Sequence, residues 1–250
     1  MLENLPDAVG HALRNQRAGL DQIVFNLVGL GHGTAAIKLG SLAFADHAPI
    51  PARHTADGDG LSPPLEWTNV PKEAMSLVLI VEDADAPTPH PLVHAIVVEL
   101  PPQDGALPEG ALKSSGNEGL GYHTGRNSYQ QAAWMPPDPP PGHGVHRYVF
   151  QLFALDADPG FGETPGREAV LEAVRNHGFA SGCLSGTYSR PDGAIGIEDA
   201  LPASAGRALT AQTQFPLLEI GERFPASGTA FSSSPPSVTT AFEIAATKVA

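Results

Sequence analysis

The sequence predicts a mainly β protein with a few helices, in which an antiparallel or mixed β-sheet forms the core and the helices lie at its periphery. Three short apolar runs, at 77–81, 94–100 and 148–155, have the length and the β-branched or aromatic content of strands. The 25 prolines and 27 glycines, with only 16% charged residues, are typical of a loop-rich β protein rather than a helical bundle. The 42% hydrophobic content is sufficient for a sizeable core.

Residues 1–36 carry a helical pattern, because apolar residues from Leu5 to Leu27 recur at spacings near three and four, with Gly19 as a break. The glycine-rich residues 29–33 then predict a linker. An amphipathic segment of this kind packs on the rest of the chain or pairs with its own copy in a homodimer. Packing is the favoured interpretation, because most amphipathic faces belong to a core.

Residues 37–190 are predicted to form the compact domain, with the three strands separated by loops rich in proline and glycine. One helix is indicated near its end. Thr164 is a candidate cap, Pro165 suits the first turn, and Gly178 can end the helix. The apolar stripe of this helix would consist of Ala169, Val170, Ala173 and Val174.

Residues 191–250 are predicted to be a carboxy-terminal extension that is partly flexible, because 227–237 is rich in serine, proline and glycine. Residues 215–220 are compatible with a strand. The alternation at 240–244 is compatible either with a strand that docks or with a mobile tail.

Composition restricts the partners and the compartment. Because the formal net charge is −13, and nucleic acids and anionic membranes need clustered Lys and Arg, neither is an expected partner. No run approaches the roughly eighteen apolar residues of a membrane span, so integral membrane association is not expected. Cys183 is the only cysteine, and the first ten residues lack the basic start and apolar segment of a signal peptide. The expected location is therefore the cytoplasm.

The polar residues of interest lie at the ends of the predicted strands. Asp83-Ala84-Asp85-Ala86-Pro87 follows the first strand, and Gly144-Val145-His146-Arg147-Tyr148 opens the last. His146 and Tyr148 are two residues apart, so their side chains lie on one face of a strand. Taken alone, the two aspartates are more typical of a simple turn, and the lone His94 is more typical of a core position.

Five segments follow one another in a fixed order: Ile50-Pro51-Ala52-Arg53-His54-Thr55, Asp59-Gly60-Leu61-Ser62-Pro63-Pro64-Leu65-Glu66-Trp67, Asp83-Ala84-Asp85-Ala86-Pro87, His94, and Gly144-Val145-His146-Arg147-Tyr148. Together they resemble the phosphatidylethanolamine-binding protein (PEBP) family, whose bacterial members are often labelled Raf kinase inhibitor-like. The resemblance covers roughly residues 37–190. It implies a PEBP-like β-sheet core, and it implies no required metal or cofactor.

The resemblance also implies a small anion-binding cavity. Its ligand-binding residues would be Asp83, Asp85, His94, His146 and Tyr148, with Pro87 and Trp134 as possible wall residues. Imidazolium N–H groups and a phenol O–H donate to phosphate oxygens, whereas carboxylates orient the imidazoles and accept from an ammonium group. Such a set suits a small anionic or zwitterionic molecule such as phosphate or phosphoethanolamine. Arg147 alternates away from His146 and is expected to form an ion pair with a carboxylate.

The chain departs from the family pattern at three places. Ala84 stands where a proline is usual, Ala95 stands where a tryptophan is usual, and the loop at 129–144 is longer. Trp134 in that loop either replaces the missing aromatic group or is incidental.

A binding module is favoured over an enzyme, although two Asp and two His in one cavity are also suited to a hydrolase or isomerase that uses acid–base chemistry. A covalent mechanism is not expected, because Ser62 and Cys183 lack the local signatures of nucleophiles. The same Asp and His side chains could in principle hold a divalent metal, but no close pair of histidines supports this, and no metal is predicted. Family analogy alone suggests a third alternative, a protein that inhibits a kinase or a protease.

Overall fold

A computed structural model describes residues 6–30, 37–112 and 122–190. These residues contain three α-helices, α1 (Asp7–Leu13), α2 (Val24–Val28) and α3 (Arg167–His177). They also contain eight strands, β1 (Lys38–Gly40), β2 (Leu65–Thr68), β3 (Ser76–Asp83), β4 (Leu92–Leu100), β5 (Gly105–Leu107), β6 (His123–Gly125), β7 (His146–Leu155) and β8 (Gly178–Tyr188). The predicted class, mainly β with a few helices, is confirmed.

The strands form two antiparallel sheets. The larger sheet has the order β6-β4-β3-β7-β8, and the smaller has the order β1-β2-β5. The three strands predicted from apolar runs are β3, β4 and β7, which lie side by side in the larger sheet. All eight positions of the central strand β3 are buried, which explains why its sequence is a continuous apolar run rather than an alternation.

The core lies on both faces of the larger sheet. On one face, Trp67 of the smaller sheet packs in a cluster with Leu79 of β3. On the other face, Val24 of α2 and Val174 of α3 pack in a cluster with Val78 of β3. Val78 and Leu79 point in opposite directions because side chains alternate along a strand. The helices therefore cover one face of the larger sheet and the smaller sheet covers the other.

Helix α3 begins later than its sequence signals indicate. It starts at Arg167 after Gly166, without a side-chain cap, so the predicted start at Thr164 and Pro165 is wrong. The carbonyl of Pro165 accepts a hydrogen bond from the Arg126 backbone N–H, which holds it in a loop contact instead. The predicted end at Gly178 is confirmed. The buried residues of the helix are Val170, Leu171, Ala173 and Val174, whereas Ala169 is exposed.

The edge strand β8 was not predicted, because its residues are mainly small and polar. It pairs with β7 over ten positions, from His146 opposite Tyr188 to Leu155 opposite Gly178. Its glycines permit close packing: a Cβ on Gly182 would lie 2.2 Å from the Ile37 carbonyl oxygen. Pairing and close contact, rather than apolar content, make this segment a strand.

The amino-terminal segment, defined as residues 6–30, packs on the domain as two short helices rather than as one long helix. Gly19, with φ of 100°, provides the predicted break. Two backbone N–H groups of the segment donate to buried side chains of the sheet. Val24 N–H donates to Glu82 Oε2 at 2.8 Å, and Phe25 N–H donates to Gln151 Oε1 at 2.8 Å. Glu82 also accepts from Arg167 Nε of α3 at 2.6 Å, so one buried carboxylate joins the segment, the sheet and the helix.

Within the described ranges, no helix is both long enough and apolar enough to cross a membrane. The predictions for residues 191–250, and for the part of the linker at 31–33, concern residues outside those ranges.

Candidate functional site

A cavity of about 210 Å³ lies where β3 ends and where β4 and β7 begin. Loop residues 134–140, rich in proline, form much of its wall. Among the predicted site residues, those that line the cavity are Asp83, Pro87, His94, Trp134 and His146. Two wider clefts, beside α3, contain none of them.

Asp83 is the last residue of β3, and both of its carboxylate oxygens are used. Oδ1 accepts from the backbone N–H of Asp85 at 2.9 Å, which closes a tight turn immediately after the strand. Oδ2 accepts from Nδ1 of His146 at 2.7 Å across the neighbouring strand. Asp83 is only 3% exposed and His146 only 1%. The two motifs therefore meet as a buried carboxylate–imidazole pair at the cavity wall.

His94, near the start of β4, presents one ring nitrogen without a partner. Its Nδ1 donates to the carbonyl of Met135 at 2.6 Å, since a carbonyl oxygen can only accept. Its Nε2 is buried and has no hydrogen-bond partner among the described residues. Burial lowers the pKa of His94, although the nearby Asp83 charge opposes this effect. The His94 ring, which lines the cavity, is therefore neutral near pH 7, and its Nε2 carries no proton.

Two aromatic groups beside His94 also carry unused polar atoms. The Trp134 Nε1 and the Tyr148 hydroxyl are buried and, within the described part of the chain, have no partner. The Tyr148 ring meets the His94 ring edge-on with centroids 5.0 Å apart, and the Trp134 ring lies 6.1 Å from it. Burial raises the pKa of Tyr148 well above its ordinary value, so the phenol keeps its proton. Tyr148 lies behind the lining residues rather than at the cavity surface.

Asp85 does not line the cavity, contrary to the expected arrangement. The chain turns after Asp83, so the carboxylate of Asp85 faces two arginines instead. It accepts from Nε and Nη2 of Arg147 at 2.6 and 2.7 Å, and it pairs with Arg17 of the amino-terminal segment at 2.9 Å. Burial alone would raise the pKa of Asp85, but the bonds from Arg147 and Arg17 lower it below its ordinary value. The predicted ion pair of Arg147 is confirmed.

His143 is a buried residue of the site that the sequence analysis did not identify. Its Nδ1 lies 2.6 Å from Nε2 of His146. Both ring nitrogens of His146 are therefore occupied, one by Asp83 and the other by His143. This differs from the expectation that His146 offers a free N–H to a ligand. The spacing of two histidines in Gly142-His143-Gly144-Val145-His146 is the signal that could have indicated the pair.

Arg190 follows β8 and joins two loops of the wall. Its guanidinium donates to both carboxylate oxygens of Asp57, to Oδ1 of Asp138, and to the Pro139 carbonyl at 3.0 Å. Asp138 and Pro139 line the cavity, as does Ala56, the neighbour of Asp57. Burial alone would raise the pKa of Asp57, but hydrogen bonds from Arg190 and Tyr188 lower it. Arg190 is 3% exposed, so it is a buried clamp on the cavity wall.

Metal binding has little support in the geometry. No group of three or more His, Cys, Asp or Glu side chains that could hold a metal ion occurs among residues 6–30, 37–112 and 122–190.

Two packed antiparallel sheets, with a small cavity lined by a carboxylate, histidines and aromatic rings at the strand ends, define a protein of the small-ligand-binding class. Residues 40–189 match the family described as phosphatidylethanolamine-binding protein. The chain belongs to this family, whose members bind small ligands.

Similar proteins come from bacteria and archaea. A UPF0098 protein of Methanothermobacter thermautotrophicus is 38% identical over 154 residues, which are 62% of this chain and 99% of that protein. The solved structure of CT736 from Chlamydia trachomatis, described as a PEBP homolog, is 37% identical and superposes with a TM-score of 0.55. It covers 63% of this chain and 99% of that one. Escherichia coli YbcL, described as a member of the mammalian PEBP family, is 25% identical with a TM-score of 0.58, covering 62% and 99% of the two chains. The amino-terminal segment lies outside the matched residues 40–189.

Proposed function

We propose that the cavity binds a small anionic or zwitterionic molecule that resembles phosphate or phosphoethanolamine. One observation carries the proposal: two neighbouring rings that line the cavity, those of His94 and Trp134, hold buried polar atoms, Nε2 and Nε1, that have no partner among the described residues. A buried polar group without a partner costs about 1–3 kcal/mol. A ligand with several oxygen atoms would remove this cost by occupying the cavity.

The state of His94 indicates how an anion would be held. Because Nδ1 already donates to Met135, Nε2 can donate to a phosphate oxygen only when the ring takes up a proton. Trp134 Nε1–H is a donor that needs no titration. When a fully ionised phosphate binds, the site is therefore expected to take up about one proton. A ligand that carries its own acidic proton would instead donate it to neutral His94.

The carboxylates of the wall suit the positive end of a zwitterion. Asp83 and Asp138 both line the cavity, and the carboxylate of Asp83 can accept further hydrogen bonds beyond those from Asp85 and His146. Trp134 also offers a ring face to a cation. A volume of about 210 Å³ is below the range of roughly 300–1,000 Å³ typical of sites for drug-sized ligands. The expected ligand is a headgroup-sized molecule.

Calorimetric titration of the full chain with inorganic phosphate and with phosphoethanolamine, at about pH 6 and pH 8, tests the proposal. Tighter binding at pH 6 is expected, with loss of binding in His94→Leu. His177→Leu is the matched control, because His177 lies on α3 away from the cavity and is half-exposed. Binding that survives in His94→Leu would contradict the assignment of the site.

The acid–base alternative is separated by the same samples. An enzyme would convert a phosphoester or an enolisable substrate with a bell-shaped pH profile, whereas a binding protein saturates without product. Occupation of both His146 nitrogens supports binding, because no free base faces the cavity from that ring.

The remaining partners follow from composition and packing. We propose a cytoplasmic protein, as expected from its single cysteine, and one without nucleic-acid partners, as expected from its net charge of −13. A homodimer through the amino-terminal segment would have to use Val9 and Leu20, which remain 37% and 36% exposed, because Ile23 and Val24 are buried within the chain. Light scattering would detect such a dimer as a doubled mass.

A further inference from the structure

The amino-terminal segment reaches the ligand cavity through a chain of hydrogen bonds. Asp83 Oδ2 contacts His146 Nδ1 at 2.7 Å, and His146 Nε2 contacts His143 Nδ1 at 2.6 Å. On the far side, His143 Nε2 lies 2.9 Å from the carbonyl oxygen of Leu13 and 3.2 Å from that of Gln16. Both histidines are buried. The segment therefore contacts His143, whose other ring nitrogen contacts the cavity-lining His146.

The number of protons in this chain follows from its end groups. A carbonyl oxygen only accepts, so the contact with Leu13 places a proton on His143 Nε2. The carboxylate of Asp83 likewise accepts from His146 Nδ1, so this nitrogen also carries a proton. The bond between the rings requires one more proton, which gives three protons on two imidazoles and hence one positive charge.

The surroundings assign this charge to His146. Burial lowers the pKa of His143, and the charges of His146 and Arg17 lower it further. His146 instead faces the carboxylate of Asp83. The nearby arginines Arg147 and Arg17 are both paired with Asp85, and His94 across the cavity is neutral near pH 7. His143 is thus the neutral acceptor, and His146 is the imidazolium.

We propose that His143 is a positioning residue of the ligand cavity. It accepts the Nε2 proton of His146, and the carbonyl oxygens of Leu13 and Gln16 hold it in the tautomer that does so. The amino-terminal segment thereby sets the charge at the cavity wall. With His146 charged, the Asp83–His146 pair is neutral overall. With His146 neutral, the charge of Asp83 is uncompensated and repels an anionic ligand.

Hydrogen bonds hold the amino-terminal segment against the site. Ala18 N–H donates to the Ala86 carbonyl at 3.0 Å and Gly19 N–H donates to the Ala84 carbonyl at 2.8 Å, so the segment lies along the turn that follows Asp83. Arg17 adds bonds to the carbonyls of Val145 and His143 at 2.9 and 3.2 Å.

Helix α1 also approaches the proline-rich loop closely. A Cβ on Gly10 would lie 1.8 Å from the Pro141 carbonyl oxygen and 2.9 Å from the His143 backbone nitrogen. Gly10→Ala therefore offers a way to displace α1 from His143 without changing any titratable group.

Nitrogen-15 NMR of the histidine rings, in the full chain without ligand, tests the proposal directly. His146 is expected to carry protons on both ring nitrogens at neutral pH, and His143 only on Nε2. His143→Asn keeps an acceptor near the position of Nδ1, whereas His143→Leu has a similar volume and no acceptor. At neutral pH the Nε2 proton of His146 should be lost in His143→Leu and retained in His143→Asn.

Gly10→Ala should likewise lower the fraction of His146 that carries the Nε2 proton, because it moves the Leu13 carbonyl away from His143. A neutral His146 in the unmodified chain at pH 7, or the same protonation of His146 in all variants, would overturn the proposal. If both His143 variants fail to fold, the unmodified chain and Gly10→Ala still decide it.

As a statement about ligand binding, this inference rests on the proposed anion site, but the two can fail separately. Affinity for inorganic phosphate should fall at least about tenfold in His143→Leu and less in His143→Asn. His94→Leu should abolish binding and leave the His146 spectrum unchanged. If the unmodified chain binds neither phosphate nor phosphoethanolamine, the proposed function fails while the NMR result still decides the charge on His146.

Discussion

The buried clamp at Arg190 permits a quantitative prediction. Its guanidinium is 2% exposed and contacts Asp57 at 2.6–2.9 Å and Asp138 at 2.5 Å. Replacement by methionine keeps much of the volume and removes every one of these bonds. Breaking a buried ion pair costs roughly 3–5 kcal/mol when the remaining charge stays buried. The two carboxylates here are 14% and 21% exposed and can recover some hydration, so the lower end applies.

We therefore expect Arg190→Met to lower the free energy of unfolding by about 3 kcal/mol. For a domain of this size that loss corresponds to a decrease in Tm of roughly 6–12 °C. Urea unfolding followed by tryptophan fluorescence measures it, because Trp134 lies in the wall that Arg190 holds. The free energy of unfolding of Arg190→Lys should lie between those of Arg190→Met and the unmodified chain. An ammonium group keeps the charge but cannot bridge both carboxylates as the planar guanidinium does.

Arg175→Met is the matched control. Arg175 is exposed on α3, where a substitution should change stability by no more than about 0.5 kcal/mol. Phosphate affinity provides a second measurement, because Asp138 and Pro139 line the cavity and lose their anchor. If Arg190→Met unfolds at the same urea concentration as the unmodified chain, the clamp does not stabilise the wall and the reasoning is refuted.

Three further predictions concern other buried polar groups. Because burial lowers the pKa of His94 from 6.5, the unfolded chain takes up its proton at a higher pH than the folded chain. Stability should therefore be lost as pH falls below about 6.5, and His94→Leu should flatten this part of the urea-midpoint profile; an unchanged profile would count against a neutral His94. Glu82→Gln removes the buried carboxylate partner of Arg167 and should cost about 3 kcal/mol, with faster tryptic cleavage in the amino-terminal segment; equal cleavage rates would show that Glu82 does not hold the segment. Trp134→Phe removes one donor and should weaken phosphate binding about three- to tenfold by calorimetry, whereas unchanged affinity would place Nε1 outside the site.

The strands β3, β4 and β7 could be predicted from the sequence, and so could the shared orientation of His146 and Tyr148, because both depend on local patterns. An apolar run that is buried on two faces predicts β3, and the two-residue spacing of His146 and Tyr148 predicts their common face. Those rings do stack, with centroids 6.4 Å apart. In the sheet, Asp83 is the register partner of Tyr148, so the two motifs meet through strand pairing.

What the sequence did not indicate depends on contacts between distant segments. Strand β8 is made by its pairing with β7 rather than by its own composition. Asp85 lies outside the expected site because the Asp83 side chain closes a turn. The turn ends the strand alternation that would have placed Asp83 and Asp85 on one face. His143 gained its role from carbonyl groups of Leu13 and Gln16, which lie far away in the sequence.

The departures from the family pattern have a partial structural account. Ala84 is buried in a small cluster with Ile23 and Val149, so the amino-terminal segment packs at the position where proline is usual. Ala95 lies in the same core cluster as Trp134, whose ring stacks on Phe150 with centroids 6.1 Å apart. This packing supports the interpretation that Trp134 replaces the missing aromatic group.

The most direct test of the proposed anion site is a crystal structure of the full chain soaked with phosphoethanolamine. We predict a phosphate group within hydrogen-bond distance of His94 Nε2 and Trp134 Nε1, with His146 still bonded to Asp83 and His143. A cavity that contains only water at saturating phosphoethanolamine, or a phosphate bound elsewhere, would contradict it.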